Sequence, residues 1–168
     1  VNLMAVIWMT KQFMPEMMSR NSGHIVNISS AAGVVANPQM GDYCASKFGV
    51  IGFSDALRRE FRKTGCKNVK VLVACPAHID TGMFEGFKQP WYVPTLKPEY
   101  VAENVLGAIK KDKAYLVLPR LGWVVSLTKL LPISFQDRFL EVTGVTKAMD
   151  NWVARNSTGS DLNASTGT

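Results

Sequence analysis

The sequence predicts an α/β fold built on a doubly wound parallel sheet, and three observations point there. His24 to Ser29 and Val69 to Cys75 are short, near-continuous apolar runs, the pattern of parallel strands covered by helices on both faces. Gly41 to Lys63 lies between them with helical spacing in Phe48, Ile51, Asp55, Arg59 and Arg62. A further helix and strand follow, so the order β-α-β-α-β emerges.

Each element has its own signals. Residues 2 to 19 read as a helix rich in Met, Leu, Ile and Trp, with Pro15 near its end and the breaker Ser19-Arg20-Asn21-Ser22-Gly23 behind it. That helix is expected to be buried over much of its surface. The Gly41 to Lys63 helix stops at Gly65, a residue suited to the left-handed position after a helix end. Pro98 to Lys111 predicts a helix with Pro at its start, and Ala114 to Leu118 a strand. Residues 121 to 133 form an apolar segment too short to span a bilayer as a straight helix. From Asn156 the chain has almost no apolar content and is expected to be a disordered tail.

Composition narrows the function classes. At 168 residues, 47% apolar and 19% charged, the chain is long enough to bury a core, and one compact unit is the default. The net charge of +6 would suit nucleic acid, an anionic membrane or a phosphorylated cofactor. Its Lys and Arg residues are scattered, with nothing longer than short runs such as Arg58-Arg59 and Lys110-Lys111 and no helix-turn-helix or zinc-finger spacing, so no nucleic-acid partner is expected. Cys44, Cys66 and Cys75 are odd in number and form no C-x-x-C pair, which argues against a disulfide framework and a structural zinc site; no metal is expected and a cytosol-facing location is. Asn27-Ile28-Ser29 fits a glycosylation acceptor but falls in an expected buried strand. The chain opens at Val1 on a helix, which reads as a truncation and leaves any targeting segment out of sight.

The residues that carry chemistry come from one stretch. Tyr43 and Lys47 stand four apart, hence on one face of the helix that begins there. A nearby cation favours a phenolate, which makes Tyr43 a candidate general acid/base. A surface pair of no consequence is the plain alternative for such spacing. Ser30 tips the balance, because it falls at the carboxyl end of the first strand, where open α/β sheets place their ligand crevice.

Asn27-Ile28-Ser29-Ser30 with Gly33, followed by Tyr43-x-x-x-Lys47 thirteen residues after Ser30, resembles the catalytic signature of the short-chain dehydrogenase/reductase family. The resemblance runs from residue 1 to about residue 118 and includes Val1-Asn2-Leu3 at the start of the first helix. It implies the C-terminal half of a Rossmann-like fold that uses NAD or NADP to oxidise an alcohol or reduce a carbonyl. By the same resemblance Tyr43 exchanges the substrate proton, Lys47 supports it and bonds the nicotinamide ribose, and Ser30 bonds the substrate oxygen. Asn2 holds a water through which Lys47 relays protons; its plain alternative is a helix N-cap. Cys75-Pro76-Ala77-His78-Ile79-Asp80-Thr81 is similar to the family's Pro-Gly-x-x-x-Thr segment. Pro76, Ala77, Ile79 and Thr81 are then cofactor contacts, with Ala77 where Gly is usual, which puts a positive φ there in question. His78, a lone imidazole, reads as a loop hydrogen-bonding residue.

Met83, Phe84 and Phe87 head an apolar stretch that runs through Trp91, Tyr92 and Val93 to Leu96, either a lid over a lipophilic substrate or simple packing. Asp80-Thr81-Gly82-Met83-Phe84, Leu118-Pro119-Arg120-Leu121 and Lys129-Leu130-Leu131-Pro132 resemble a membrane-associated branch of that family acting on retinoids and steroids. This implies a lipophilic substrate, association with a membrane surface, and location at the endoplasmic reticulum or lipid droplets. Trp123 between Arg120 and Lys129 suits a bilayer interface, with a core or dimer helix as the alternative. Ala45, Gly49 and Gly52 permit close helix approach, and the family's usual dimer implies a homodimer.

Three units are therefore expected: a catalytic half over residues 1–118, a helical interface or cap over 119–155, and the tail over 156–168. The family's Thr-Gly-x-x-x-Gly-x-Gly turn does not occur in the sequence. This chain by itself is accordingly expected neither to bind the dinucleotide well nor to turn over. Two rival readings remain: a sugar-nucleotide epimerase or dehydratase using the same Tyr and Lys, and a membrane-surface interaction protein with vestigial catalytic residues. A serine hydrolase is disfavoured, since no Gly-x-Ser-x-Gly elbow occurs.

Overall fold

The computed structural model describes residues 1–81, 90, 92–120, 122–147 and 150. The first helix, α1 (Met4–Ser19), leads through a tight turn to strand β1 (Gly23–Ile28). A short 3-10 turn (Ala31–Gly33) then precedes the long helix α2 (Gly41–Lys63), followed by β2 (Val69–Pro76), α3 (Pro98–Ile109) and β3 (Tyr115–Leu118). The chain continues into α4 (Gly122–Leu127), a 3-10 turn (Thr128–Leu130), α5 (Ile133–Val142) and a last 3-10 turn (Val145–Lys147). The boundaries fall within two residues of those the sequence predicts, the ordinary fraying of element ends.

All strand pairing is parallel, in the order β1-β2-β3. Gly23 pairs with Val69 and Ile28 with Ala74, while Val73 pairs with Tyr115 and Pro76 with Leu118. Pro76 closes β2, where the missing N–H is tolerated. The doubly wound reading is thus correct for this part of the sheet.

One core face joins Ile25, Val71 and Val69 of the strands to Leu57 and Phe61 of α2, with Met14, Met17 and Met18 of α1 packed beside them. Its continuation joins Val73, Cys75 and Val117 to Val50 of α2 and to Leu3 and Val6 at the start of α1. Each such side chain contributes about 1.5–3 kcal/mol by leaving water. Alternation sends Leu72 and Ala74 to the other face, where they are buried too, and α3 lies against β2 and β3. Asn27, the candidate glycosylation site, is buried in β1 and donates from Nδ2 to Ser54 Oγ at 2.9 Å. Gly65 stands just past the end of α2 with φ +83°, the left-handed stop expected of it.

The first helix departs from expectation. Only Thr10 of α1 is fully buried, and Met4, Trp8, Met9 and Phe13 are exposed, Trp8 to 65%. Helix α1 spends one face on β1 and α2, and among the described residues no element covers the other. The segment after β3 is likewise apolar on its outside: Leu130 is 83% exposed, Ile133 75% and Phe135 68%. Among the described residues no helix is long and apolar enough to cross a membrane. The expected tail over 156–168 lies outside the described residues.

Candidate active site

Parallel strands end together, so the segments that leave β1, β2 and β3 meet at one edge of the sheet. They enclose a cavity of about 390 Å³ lined by Ser29 and Ser30 after β1, Tyr43 and Lys47 of α2, Pro76 to Ile79 and Thr81 after β2, and Pro119 after β3. This is the crevice position that an open α/β sheet reserves for ligands, and its size suits a small molecule.

Tyr43 and Lys47 sit one turn apart on α2, and the Lys47 ammonium lies 5.6 Å from the centre of the Tyr43 ring. Lys47 Nζ also donates to the Ile28 carbonyl at 3.3 Å, which ties the ammonium to the end of β1. Burial holds the Lys47 pKa below its ordinary value. A Cys75 thiolate would oppose this, but burial pushes the Cys75 thiol up to about 11. The thiol is therefore neutral near neutrality, and desolvation alone acts on Lys47. Ser30 caps the 3-10 turn, its Oγ accepting from Ala32 N at 3.2 Å. That bond uses an oxygen lone pair and leaves the hydroxyl proton to donate.

Beneath these groups is a clamp that the sequence reading did not single out. Ser29 Oγ donates to the Lys47 carbonyl at 2.8 Å. Gly33 fits against the same pair: a Cβ there would lie 2.5 Å from Ser29 Oγ and 2.7 Å from Lys47 O. The 3-10 turn after β1 and the turn of α2 carrying Lys47 thus meet backbone to backbone. Both residues stand in the quoted motif, but the contact joins positions eighteen apart and has no periodicity to betray it.

The loop after β2 is pinned on both sides. Ala77 N donates to Leu118 O at 2.7 Å, Leu96 N to His78 O and Asp80 N to Leu96 O, both at 2.9 Å. Ala77 is absent from the non-glycine residues with positive φ, which are Asn21, Gln39 and Asp112, so alanine fits without strain. Burial lowers the His78 pKa, against the opposing pull of Asp80. The opposite wall includes Pro90, Tyr92 and Val93, and Val145 from beyond α5; Tyr92 Oη donates to Thr143 O at 2.9 Å. Asn37, between the 3-10 turn and α2, also lines the cavity.

The structure therefore brings Ser30, Tyr43, Lys47, Pro76, Ala77, Ile79 and Thr81 together around one cavity. Asn2 is not among its lining residues: it is exposed on the turn ahead of α1 and is not the helix cap, which is Leu3. Leu3 packs against Gly49 of α2, so Asn2 lies near the turn that follows Lys47. Met83, Phe84 and Phe87 lie outside the described residues.

A family model described as short chain dehydrogenase matches residues 1–90. The chain is 36% identical over 162 residues to short-chain dehydrogenase/reductase family 16C member 6 of Bos taurus, covering 95% of this chain and 51% of that protein. It is 35% identical over 169 residues to retinol dehydrogenase 10 of Homo sapiens, covering 97% and 49%. The chain thus spans about half the length of the curated relatives it matches. A short-chain dehydrogenase/reductase from Burkholderia phymatum solved with NAD superposes with a TM-score of 0.67 at 25% identity, covering 81% of this chain and 57% of that one. One from Burkholderia cenocepacia solved with NADP gives 0.67 at 23% identity, covering 83% and 56%, a likeness of fold alone. With the family model spanning more than half of its residues, and Ser30, Tyr43 and Lys47 gathered at the strand ends of the matching fold, the chain belongs to the short-chain dehydrogenase family.

Proposed function

We propose that this chain supplies the catalytic side of an NAD(P)-dependent oxidoreductase acting on a lipophilic alcohol or carbonyl. The observation that carries this reading is the convergence of Ser30, Tyr43 and Lys47 on one cavity at the strand ends. Sequence similarity to a retinol dehydrogenase supports a retinoid, steroid or other lipid alcohol as substrate.

The residues present fit the nicotinamide end of a dinucleotide. Pro76, Ala77, Ile79 and Thr81 form a pinned loop at the cavity wall, and the Lys47 ammonium stands beside Tyr43 where a ribose hydroxyl would be bonded. The sequence holds no Gly-rich turn for the pyrophosphate, so activity is proposed for a protein in which these residues meet one. When bound, the nicotinamide accepts hydride from an alcohol carbon or gives it to a carbonyl carbon.

In the oxidative direction Tyr43, as phenolate, takes the hydroxyl proton of the substrate. Ser30 donates to the same substrate oxygen and holds it as charge develops. The half-buried Lys47 ammonium stabilises the phenolate from the ring side. Thr81 is assigned to the nicotinamide carboxamide, and Asn2 to a water that carries protons away from Lys47, which its position near Gly49 supports. Met83, Phe84 and Phe87 are assigned to the substrate.

The exposed apolar side chains of α4 and α5 support seating on a membrane surface at the endoplasmic reticulum or lipid droplets. The uncovered faces of α1 and α2 support a homodimer. Gly52 and Ala45 are exposed on α2, whereas Gly49 is filled by Leu3 of the same chain and serves packing within it.

Tyr43→Phe tests the central claim in the whole protein. Hydride transfer, followed by nicotinamide absorbance, is expected to fall by about 10²–10⁴-fold with circular dichroism unchanged. A variant that keeps its rate removes the acid/base role and the enzyme reading with it.

A further inference from the structure

Most polar side chains lining the cavity have a task. Ser30, Tyr43 and Lys47 form the reacting trio, Ser29 donates to the Lys47 carbonyl, and Tyr92 donates to Thr143. Asn37 stands apart, because its amide oxygen is buried with no hydrogen-bond partner among the described residues. Val34, Val35 and Met40, which flank it in sequence, line the same cavity and are apolar. An unpaired buried acceptor costs stability that an apolar side chain of the same shape would not. The turn that carries it is itself costly, since Gln39 sits at φ 62°, in the left-handed region. A polar group kept at such expense in an apolar wall is the kind that orients a ligand.

We propose that Asn37 is a specificity-determining residue that accepts a hydrogen bond from a second hydroxyl of the substrate, remote from the reacting carbon. On the oxidoreductase reading above, on which this rests, the cavity prefers a lipophilic diol to a mono-alcohol. An amide oxygen only accepts, so the complementary group is a donor, and a hydroxyl is the donor that lipid alcohols carry. The side chain must swing to present that oxygen; the terminal torsion of asparagine is broad, so the movement is cheap. Once the bond forms, the orphaned acceptor is satisfied, which a mono-alcohol cannot do.

Calorimetric titration of this chain with androstanediol against androstanol, and with dodecanediol against dodecanol, tests the preference. The diol of each pair is expected to bind about 10-fold more tightly. Asn37→Leu is expected to abolish that difference between the two members of each pair and to raise the Tm of the unliganded chain. A cooperative thermal transition and an unchanged circular dichroism spectrum are the sign that the variant is folded. Equal binding of the two members by the unaltered chain, a diol preference that survives in Asn37→Leu, a lowered Tm, or no binding of either diol overturns the proposal. Because hydride transfer is not read, the two claims separate. A diol preference without turnover in the whole protein sinks the oxidoreductase reading alone, and turnover without preference sinks this one alone.

Discussion

The cavity has two walls held by different physics. The inner wall, where β1 and β2 end and α2 begins, is locked by polar contacts and close packing: Ser29 to the Lys47 carbonyl, Lys47 to the Ile28 carbonyl, and Gly33 pressed against both partners of the first bond. The outer wall, around Tyr92 and Val145, is tied through Tyr92 to Thr143, and the helices behind it turn apolar side chains to the outside. On the proposed mechanism Ser30, Tyr43 and Lys47 need close placement, and they sit where the chain is clamped. If the proposed lipophilic substrate enters past the outer wall, that wall must open at low cost, as weakly held segments do.

The sharpest way to break the comparison is Gly33→Ala. The added methyl would meet Ser29 Oγ and the Lys47 backbone, neither of which is the far end of a flexible side chain. The variant is expected to lose about 1–3 kcal/mol of stability, read as a lowered midpoint in denaturant. In the whole protein it is expected to lose about 10²-fold in kcat, as misplacement by an ångström does. A Gly33→Ala protein with an ordinary rate would mean that the inner clamp holds the fold but does not position the chemistry.

This contrast also explains what could be read from the sequence. The strands, α2, α3 and the trio were legible because apolar runs, helical spacing and the Tyr43–Lys47 interval are local patterns. Pro76 to Thr81 followed from a contiguous motif. The clamp was not legible, because Gly33 meets Lys47 only after the chain has folded back across fourteen residues. The exposure of α1 ran against expectation: Trp8, Met9 and Phe13 have the composition of a buried helix, and composition does not say how many neighbours a helix has. Asn37 gave no signal either, since an asparagine before a proline reads as an ordinary turn. Its peculiarity is a missing partner, which only coordinates reveal.

A smaller effect is expected at the outer wall. Tyr92→Phe removes the bond to the Thr143 carbonyl while keeping the ring against the cavity. The stability cost should be about 1 kcal/mol, the ordinary net worth of one neutral, part-buried hydrogen bond. If the outer wall only encloses substrate, KM for a lipophilic alcohol rises a few-fold while kcat stays put. A fall in kcat with KM unchanged would show that this wall takes part in placing the reacting groups, and the distinction between the walls would go.

The smallest expected effect is at His78, which sits on the loop after β2, between the walls. Burial lowers its pKa in the folded chain, with Asp80 opposing, so the folded state binds a proton less readily than the unfolded one. Above the unfolded value of about 6.5 both states are neutral and His78 contributes no pH dependence. As pH falls below that value the unfolded chain takes up the proton first, so stability declines until the folded imidazole also titrates. The Tm should therefore drop between about pH 7 and about pH 5, and His78→Gln should flatten that part of the curve while leaving the Tm at higher pH nearly unchanged. A curve with the same slope in His78→Gln would assign the acid sensitivity elsewhere, and the loop would then belong with the rigid inner wall.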